Sequence, residues 1–215
     1  MSDATHSPDA QSVREDIAFL RTLAEQGASG PLAGGSILLA TGLIYAAASV
    51  AVWYVTTHMP SEAGRWMWPI WGSAMTSQAV TMTIIILRLK GRGRGLVAAN
   101  NRSNRAFAMI WNGVGCAIMA CLASFLLTAW QAHLPQVFAG FPAVILVLYG
   151  VGWTMTAASS RERWTWGVAV LSFVLTIVLG AFAGSANLPL LFALALLLLI
   201  AAPGALLIKR ASVRS

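Results

Sequence analysis

Six long apolar segments constrain this chain more than any other feature of its sequence. They are residues 35–55, 66–87, 107–130, 138–157, 165–184 and 188–208. Each is close to the roughly 20 residues that a helix needs to cross the hydrocarbon core of a bilayer. Because no water is available there to bond free backbone groups, all six segments are expected to be helical. The sequence therefore predicts an all-α, polytopic membrane protein with a six-transmembrane-helix bundle.

The composition agrees with a membrane protein and argues against several functions. The chain is 58% hydrophobic and 10% charged, whereas soluble domains typically carry about 25% charged residues. None of the six segments contains Asp, Glu, Lys, Arg or His. Proton relays and ion-coupled carriers normally place such residues at membrane depth. The sequence therefore argues against a proton-coupled pump or antiporter, and the lack of a buried lysine argues against a rhodopsin-like pigment.

The basic residues predict how the chain is threaded through the membrane. With the N-terminus in the cytoplasm, thirteen of the fourteen Lys and Arg residues fall on the cytoplasmic side and only Arg65 falls outside. Cytoplasmic loops of membrane proteins carry an excess of Lys and Arg. We therefore expect both termini to be cytoplasmic, with the first segment acting as an uncleaved anchor. The alanine-, glycine- and arginine-rich composition favours a bacterial inner membrane.

The basic segment, residues 88–105, separates the second and third apolar segments. Its six basic residues are candidate contacts for lipid or for a protein partner: Arg88, Lys90, Arg92, Arg94, Arg102 and Arg105. The segment is rich in glycine but lacks the strand-and-helix context of a phosphate-binding loop. Its position beside two membrane helices favours anionic lipid headgroups over nucleic acid. We expect membrane lipids as partners, with a cytoplasmic or membrane protein as the alternative.

The polar N-terminal region is predicted to contain an amphipathic helix. The chain divides into a cytoplasmic tail (1–33), a transmembrane domain (34–208) and a basic cytoplasmic tail (209–215). Within the first tail, Ser12 and Glu15 form a capping box for a helix over about residues 12–26, which is too polar to span a membrane. This helix either docks on the bilayer or a partner, or covers the cytoplasmic ends of the protein's own bundle.

A few neutral polar residues lie inside the apolar segments. Tyr45, Gln78 and Tyr149 are near the middle of their segments, and Asn112 is in the inner third of the third segment. If they converge at one depth, they form a candidate site for a small neutral or aromatic molecule. The alternative is that these groups bond between helices, as polar side chains in membrane bundles commonly do.

Aromatic and small residues add three expectations about packing. Tryptophans at the segment ends predict interfacial belts; they are Trp53, Trp66, Trp68 and Trp130 on the outer side and Trp153, Trp164 and Trp166 on the inner side. Small residues predict close helix contacts; they are Gly42 and Ser49, Gly113 with Gly115, and Gly150 with Gly152. Pro203 and Gly204 predict a kink in the last segment.

The six segments also allow a hypothesis about internal symmetry. The second, fourth and sixth segments each open with an apolar residue and a proline, at Pro69, Pro142 and Pro189. Proline is favoured in the first turn of a helix in any case, because its missing N–H is not needed there. Three related hairpins are therefore a hypothesis, which superposition of the hairpins would test.

The sequence contains no pattern that indicates catalysis or a bound metal. The three histidines are His6, His58 and His133, and no G-x-S-x-G or H-E-x-x-H sequence is present. Outer-loop residues could supply soft ligands to copper or haem iron, but His58, Met59, Glu62, Met67 and His133 lack tight ligand spacing. Cys116 and Cys121 are five apart on a helix and point away from each other. We expect a protein that is not an enzyme and that binds neither cofactor nor metal.

The function that these observations favour is structural. No motif is specific enough to indicate a family. The leading interpretation is a non-enzymatic accessory, scaffolding or regulatory component of the membrane, which presents its amphipathic helix and basic segment to a partner or to lipid. The alternative is a facilitative carrier or channel for a small neutral or apolar solute, with Gln78 and its neutral neighbours along the path.

Overall fold

The computed structural model confirms the predicted class, an all-α bundle. It describes residues 15, 17, 18, 32–91, 102–133, 135–160 and 162–213. The long helices are α1 (Leu32–His58), α2 (Ala63–Gly91), α3 (Arg102–Ala132), α4 (Phe141–Ser159), α5 (Trp164–Ala181), α6 (Leu188–Leu196) and α7 (Ala202–Val213). A 3-10 turn, Pro135–Gly140, precedes α4, and a π-helical segment, Leu197–Ala201, joins α6 to α7. Helix α6, the π-helical segment and α7 together form one continuous sixth span.

All six predicted spans are present as helices that are long and apolar enough to cross a membrane. The chain is therefore a multi-pass membrane protein. Several helices extend beyond their apolar segments: α2 continues to Gly91 and α3 begins at Arg102, so both reach into the basic segment. A helix can continue past the hydrocarbon core into the polar interface. The apolar segment in the sequence therefore predicts only the part of the helix that lies within the core.

Two N-terminal features are only partly covered by the described residues. Glu15, Ile17 and Ala18 are helical, which falls within the helix predicted over 12–26, and the Ile17 side chain is exposed. The remainder of that amphipathic helix lies outside the described residues. Arg92 and Arg94 of the basic segment lie outside them as well.

The proline positions differ between spans. Pro142 and Pro189 occupy the first turns of α4 and α6, as predicted. Pro69 lies inside α2, because that helix begins at Ala63, six residues earlier than the proline. The residues before Pro69 in the first turns of α2 are mostly exposed. A carbonyl that lost its donor to the proline can bond to water there.

The buried centre is formed by α1, α4, α5 and the sixth span. Its largest fully buried side chains include Leu146, Trp153, Leu179, Leu196, Leu199 and Ile200. Helix α1 packs along both α2 and the sixth span, and α4 packs between α3 and α5. Half of the residues in the apolar window of the sixth span are buried, against 6% in α2 and 6% in α3. Helices α2 and α3 are thus peripheral.

Glycine allows α1 to approach the sixth span closely. A Cβ on Gly42 would lie 2.5 Å from the backbone nitrogen of Ala201, and one on Gly204 would lie 2.5 Å from the backbone nitrogen of Leu39. Both glycines therefore hold places that no other residue fills without moving a backbone. The close packing predicted at Gly42 is confirmed.

The other predicted glycine contacts divide into two groups. A Cβ on Gly150 would meet the Phe173 ring at 2.8 Å, and one on Gly152 would meet the Val114 side chain at 2.9 Å, so both support helix packing. A Cβ on Gly113 or Gly115 would meet nothing within 4 Å. The prediction for this second pair is wrong within the described part of the chain, because α3 turns that side outward.

The interruption predicted at Pro203 and Gly204 is a π-helical segment directly before them. Proline has no N–H to donate to the carbonyl four residues earlier, which here belongs to Leu199. That carbonyl accepts a hydrogen bond of 2.9 Å from the indole Nε1–H of Trp153. Trp153 was predicted in the inner interfacial belt, and this prediction is wrong: its side chain has no exposed surface. A buried indole needs an acceptor, and the carbonyl beside Pro203 supplies one.

Candidate functional site

The Gln78 amide of α2 is the first polar group of the candidate site. Its Nε2 donates to Thr41 Oγ1 at 2.8 Å, and Thr41 Oγ1 donates to the carbonyl of Ile37 at 2.8 Å. The Gln78 side chain therefore joins α2 to α1. Its Oε1 is buried and has no partner among the described residues. One half of the amide is bound within the bundle, and the other half is left free.

Tyr45 lies one turn along α1 from Thr41, and its ring packs against Trp71 of α2 with the centroids 6.4 Å apart. Trp71 and Gln78 are two turns apart on α2, so they share a face of that helix. The contact between α1 and α2 thus combines one polar and one aromatic pair.

Tyr149 belongs to a column of aromatic rings that follows α3 and α4. Its ring centroid is 6.0 Å from that of Trp111, which in turn lies 5.0 Å from that of Trp153 in an edge-on arrangement. Trp153 continues the column to Trp164 at 6.1 Å. The Trp111 Nε1–H is buried without an acceptor among the described residues. The column fills the space between α3 and α4 with rigid apolar area.

Asn112 stands apart from the other three predicted site residues. Its side chain is exposed on α3, and it makes no hydrogen bond to any residue that the structure describes. Trp111 points inward to the aromatic column, and its chain neighbour Asn112 is rotated by about 100° around the helix. The structure therefore places Tyr45 one turn from Thr41, the partner of Gln78, and places Tyr149 in the aromatic column. Asn112 lies on another surface.

The hydroxyl groups in the spans mostly bond to their own helices. Ser49 donates to the carbonyl of Tyr45, Thr76 to that of Gly72 and Thr83 to that of Ala79. Such bonds satisfy a hydroxyl in an apolar medium without a second helix or a ligand. These serines and threonines offer little free hydrogen-bonding capacity to a solute.

A charged cluster that the sequence did not predict ties the start of α5 to the end of α7. Glu162 forms an ion pair with Arg210 and accepts a hydrogen bond of 3.1 Å from Trp164 Nε1. The Arg210 guanidinium lies over the Trp164 ring, 5.3 Å from its centroid. The one sequence feature that could have predicted this cluster is the single acidic residue, Glu162, between two arginines in the loop.

The basic residues predicted to contact lipid or a partner, and the histidine considered as a metal ligand, lie at the ends of the bundle. Arg88 and Arg105 have exposed side chains at the facing ends of α2 and α3, and of Lys90 and Arg102 only the helical backbone is described. At the opposite end, His58 stacks on Tyr54 with the ring centroids 4.6 Å apart. Among the described residues, no group of three or more His, Cys, Asp or Glu side chains is placed to hold a metal ion.

The outer surface of α3 carries small residues in a regular row. Ala108, Asn112, Cys116, Ala120 and Ser124 follow each other at intervals of four, and all five are exposed. The uncovered surface of α5 exposes large apolar side chains at Val170, Val174 and Ile177. Helix α3 exposes large side chains as well, at Met109, Met119, Leu127 and Trp130, so bulk does not distinguish the two surfaces.

The fold and the site define the class of the chain as a six-helix multi-pass membrane protein whose centre is neutral and largely packed. Comparison with known protein families, with curated proteins and with solved structures gives no match.

Proposed function

We propose that this protein is a non-enzymatic accessory, scaffolding or regulatory component of a bacterial inner membrane, with both termini in the cytoplasm. The observation that carries the proposal is the contrast between the centre and the edge of the bundle. Its centre is filled by Trp153, Leu199 and their neighbours. In contrast, only 6% of the residues in the apolar window of α2, and 6% in that of α3, are buried by the rest of the chain. A bundle of this kind offers helix surfaces to another membrane protein.

The orientation is supported by the distribution of charge. Arg88 and Arg105 at the ends of α2 and α3 lie on the same side as the cluster of Glu162 and Arg210, if the helices alternate in direction. Both regions belong to the side that collects the Lys and Arg residues, which membrane insertion retains in the cytoplasm. A reporter that is active only in the periplasm, fused after residue 215, is expected to be inactive. Activity of that fusion would overturn the orientation.

The cytoplasmic face is proposed to contact anionic lipid and a protein partner. Each Lys or Arg near an anionic membrane surface contributes about 1 kcal/mol to attraction. The basic segment places six such residues between two spans. The amphipathic helix predicted over 12–26 is the second element that a cytoplasmic partner would contact.

Purification in mild detergent tests this role. The full chain and a variant lacking residues 1–27 are isolated from native membranes at matched levels, and the proteins that accompany each are identified and quantified. The full chain is expected to retain a reproducible partner, and the deletion to lose most of it. A full chain that retains no other protein, or equal recovery with the deletion, contradicts the scaffolding role of the N-terminal region.

A second candidate function, a facilitative carrier or channel for a small neutral or apolar solute, is favoured by one specific observation. The buried Gln78 Oε1 in α2 and Trp111 Nε1 in α3 are an acceptor and a donor that lack partners among the described residues. A carrier that uses them should lose solute flux in the variant Gln78→Leu. Unchanged flux in this variant counts against the carrier.

A further inference from the structure

The charged cluster of Glu162, Trp164 and Arg210 lies at the boundary of the membrane. Trp164 is the first residue of the fifth span, and Arg210 is the last residue of the sixth. Both side chains therefore lie near the depth of the lipid headgroups, where tryptophan is enriched in membrane proteins. A second tryptophan of the same turn, Trp166, is exposed there. The cluster is thus within reach of a headgroup.

The cluster has an excess of positive charge. Glu162 is the one acidic residue that the sequence contains after Glu62. Arg163 follows it directly and is exposed, and Lys209, the chain neighbour of Arg210, is exposed as well. Three cations therefore adjoin a single acid. A net positive charge of this kind at the end of a bundle attracts an anion.

Arg210 is held in a position that leaves part of its guanidinium accessible. One of its nitrogens, Nη1, donates to Glu162 Oε2, and the group lies over the Trp164 ring. A guanidinium has five N–H donors in a fixed plane, and 46% of the Arg210 side chain is exposed. Arginine can bind a phosphate group through two parallel hydrogen bonds. The accessible edge of Arg210 therefore suits a phosphate.

The surfaces that continue from these cations into the membrane are apolar and exposed. On α5, Val170 and Ile177 follow Arg163 at seven and fourteen residues, so they lie on the same side of the helix. On α7, Leu206 lies one turn deeper than Arg210 and is exposed. Positive charge at the boundary, with apolar surface directly below it, matches the order of headgroup and acyl chains in a phospholipid. A soluble anion or an acidic protein would use only the charged part.

We propose that the charged cluster binds an anionic phospholipid. The phosphate accepts hydrogen bonds from Arg210, Arg163 and Lys209 add positive charge, and the acyl chains lie along α5 and α7. Glu162 and Trp164 hold the guanidinium in place. The proposal rests on the lipid contact proposed above for the cytoplasmic face, and it adds a defined site that is separate from the basic segment.

Lipid binding to the purified full chain tests the proposal. The protein in a neutral detergent is titrated with phosphatidylglycerol or with phosphatidylcholine of the same acyl chains, and the bound lipids are counted by native mass spectrometry. Phosphatidylglycerol is expected to bind more tightly. Its affinity should fall by about fivefold in Arg163→Gln, the contribution of one basic residue near an anionic surface. Arg65→Gln removes an exposed arginine at the opposite end of the bundle, and this matched control should leave the affinity unchanged.

A conservative variant tests the hydrogen bonds to the phosphate. Arg210→Lys keeps the positive charge and removes the planar set of donors, so phosphatidylglycerol is expected to bind less tightly to it than to the natural chain. An unchanged affinity overturns the contact with Arg210. Inorganic phosphate is added as a competitor and is expected not to displace the lipid, because it has no acyl chains. Displacement at an equal concentration overturns the lipid as the occupant, and so does an acidic protein that is retained through Arg163 and Arg210 in its place.

A parallel variant separates this site from the basic segment. Arg88→Gln combined with Arg105→Gln removes the two exposed arginines at the facing ends of α2 and α3. If the preference for phosphatidylglycerol depends on this pair and not on Arg163 or Arg210, the cluster is overturned while the lipid contact of the cytoplasmic face stands. If it depends on Arg163 and Arg210 alone, the cluster stands and the basic segment does not contribute. If the natural chain binds both lipids equally, both proposals fail.

Discussion

Trp153 donates its indole N–H to the carbonyl oxygen of Leu199, 46 positions later in the chain, at 2.9 Å in the fully buried centre of the bundle. Pro203 cannot supply the helical N–H that this carbonyl would otherwise receive. The π-helical segment, the proline and the tryptophan therefore form one arrangement, in which α4 provides the donor that the sixth span lacks. This bond connects α4 to the sixth span at the point where the last span is irregular.

The first prediction concerns this bond. Trp153→Phe removes the donor and retains an aromatic ring, so it leaves the Leu199 carbonyl buried without its side-chain partner. Leaving a buried polar group unsatisfied costs about 1–3 kcal/mol. We expect a lower midpoint of thermal unfolding in detergent, measured by circular dichroism.

Pro203→Ala provides the control for that prediction. An alanine at this position restores a backbone N–H, which gives the Leu199 carbonyl an alternative donor. Trp153→Phe is therefore expected to cost less in the Pro203→Ala background than in the natural chain. A double-mutant cycle measures this coupling, and strictly additive effects would show that the two residues act independently.

The second prediction concerns the contact between α1 and the sixth span. Gly42→Ala places a methyl group 2.5 Å from the backbone nitrogen of Ala201, and overpacking of this kind typically costs about 1–3 kcal/mol. Gly167→Ala in α5 is the matched control, since its methyl group meets nothing within 4 Å. Alanine is favoured over glycine in a helix by about 0.5–1 kcal/mol, so this control should be neutral or stabilising. Equal destabilisation by both variants would contradict the close approach.

The third prediction concerns the midplane amide. Gln78→Leu loses the hydrogen bond to Thr41, and bonds of this type in membrane proteins average about 0.6 kcal/mol. The same change removes a buried Oε1 that has no partner among the described residues, which offsets part of the loss. We expect a change in the unfolding midpoint close to zero and unchanged recovery of a protein partner. A large loss of stability would mean that Gln78 has a greater structural role than its one bond indicates.

The fourth prediction concerns the cluster at the start of α5. The Glu162 and Arg210 side chains are 33% and 46% exposed, so solvent screens their attraction. Glu162→Gln is expected to cost no more than about 1 kcal/mol, and the difference from the natural chain should shrink as salt is raised. A loss that is several-fold larger and insensitive to salt would indicate that the cluster is buried in the membrane-inserted protein.

The spans could be predicted from the sequence because their length and lack of charge suffice to define them. The direction that each side chain faces could not. Apolar residues predominate on all sides of these helices, so periodicity does not separate the face of α3 that carries Trp111 from the face that carries Asn112. For the same reason, Gly42 and Gly113 look alike in the sequence, although only Gly42 contacts a neighbouring helix.

Long-range partners were also beyond the reach of the sequence. Pro203 predicted an irregular point in the last span, but nothing nearby identified Trp153 as the donor for the freed carbonyl. A tryptophan near the end of a span is equally suited to an interfacial belt, and only the packing of α4 against the sixth span distinguishes the two positions. Likewise, the sequence shows that Gln78 is polar, but it does not show which of the many hydroxyl groups in the spans is its partner, Thr41.

The scaffolding role is the central claim, and a map of the protein's neighbours in the membrane tests it most directly. A photo-reactive amino acid is introduced at Ser77 in α2, at Met119 in α3 and at Ile177 in α5, all of which are exposed. After illumination of intact membranes, positions 77 and 119 are predicted to form adducts with protein, and position 177 with lipid alone. Lipid adducts alone from all three positions would contradict the claim.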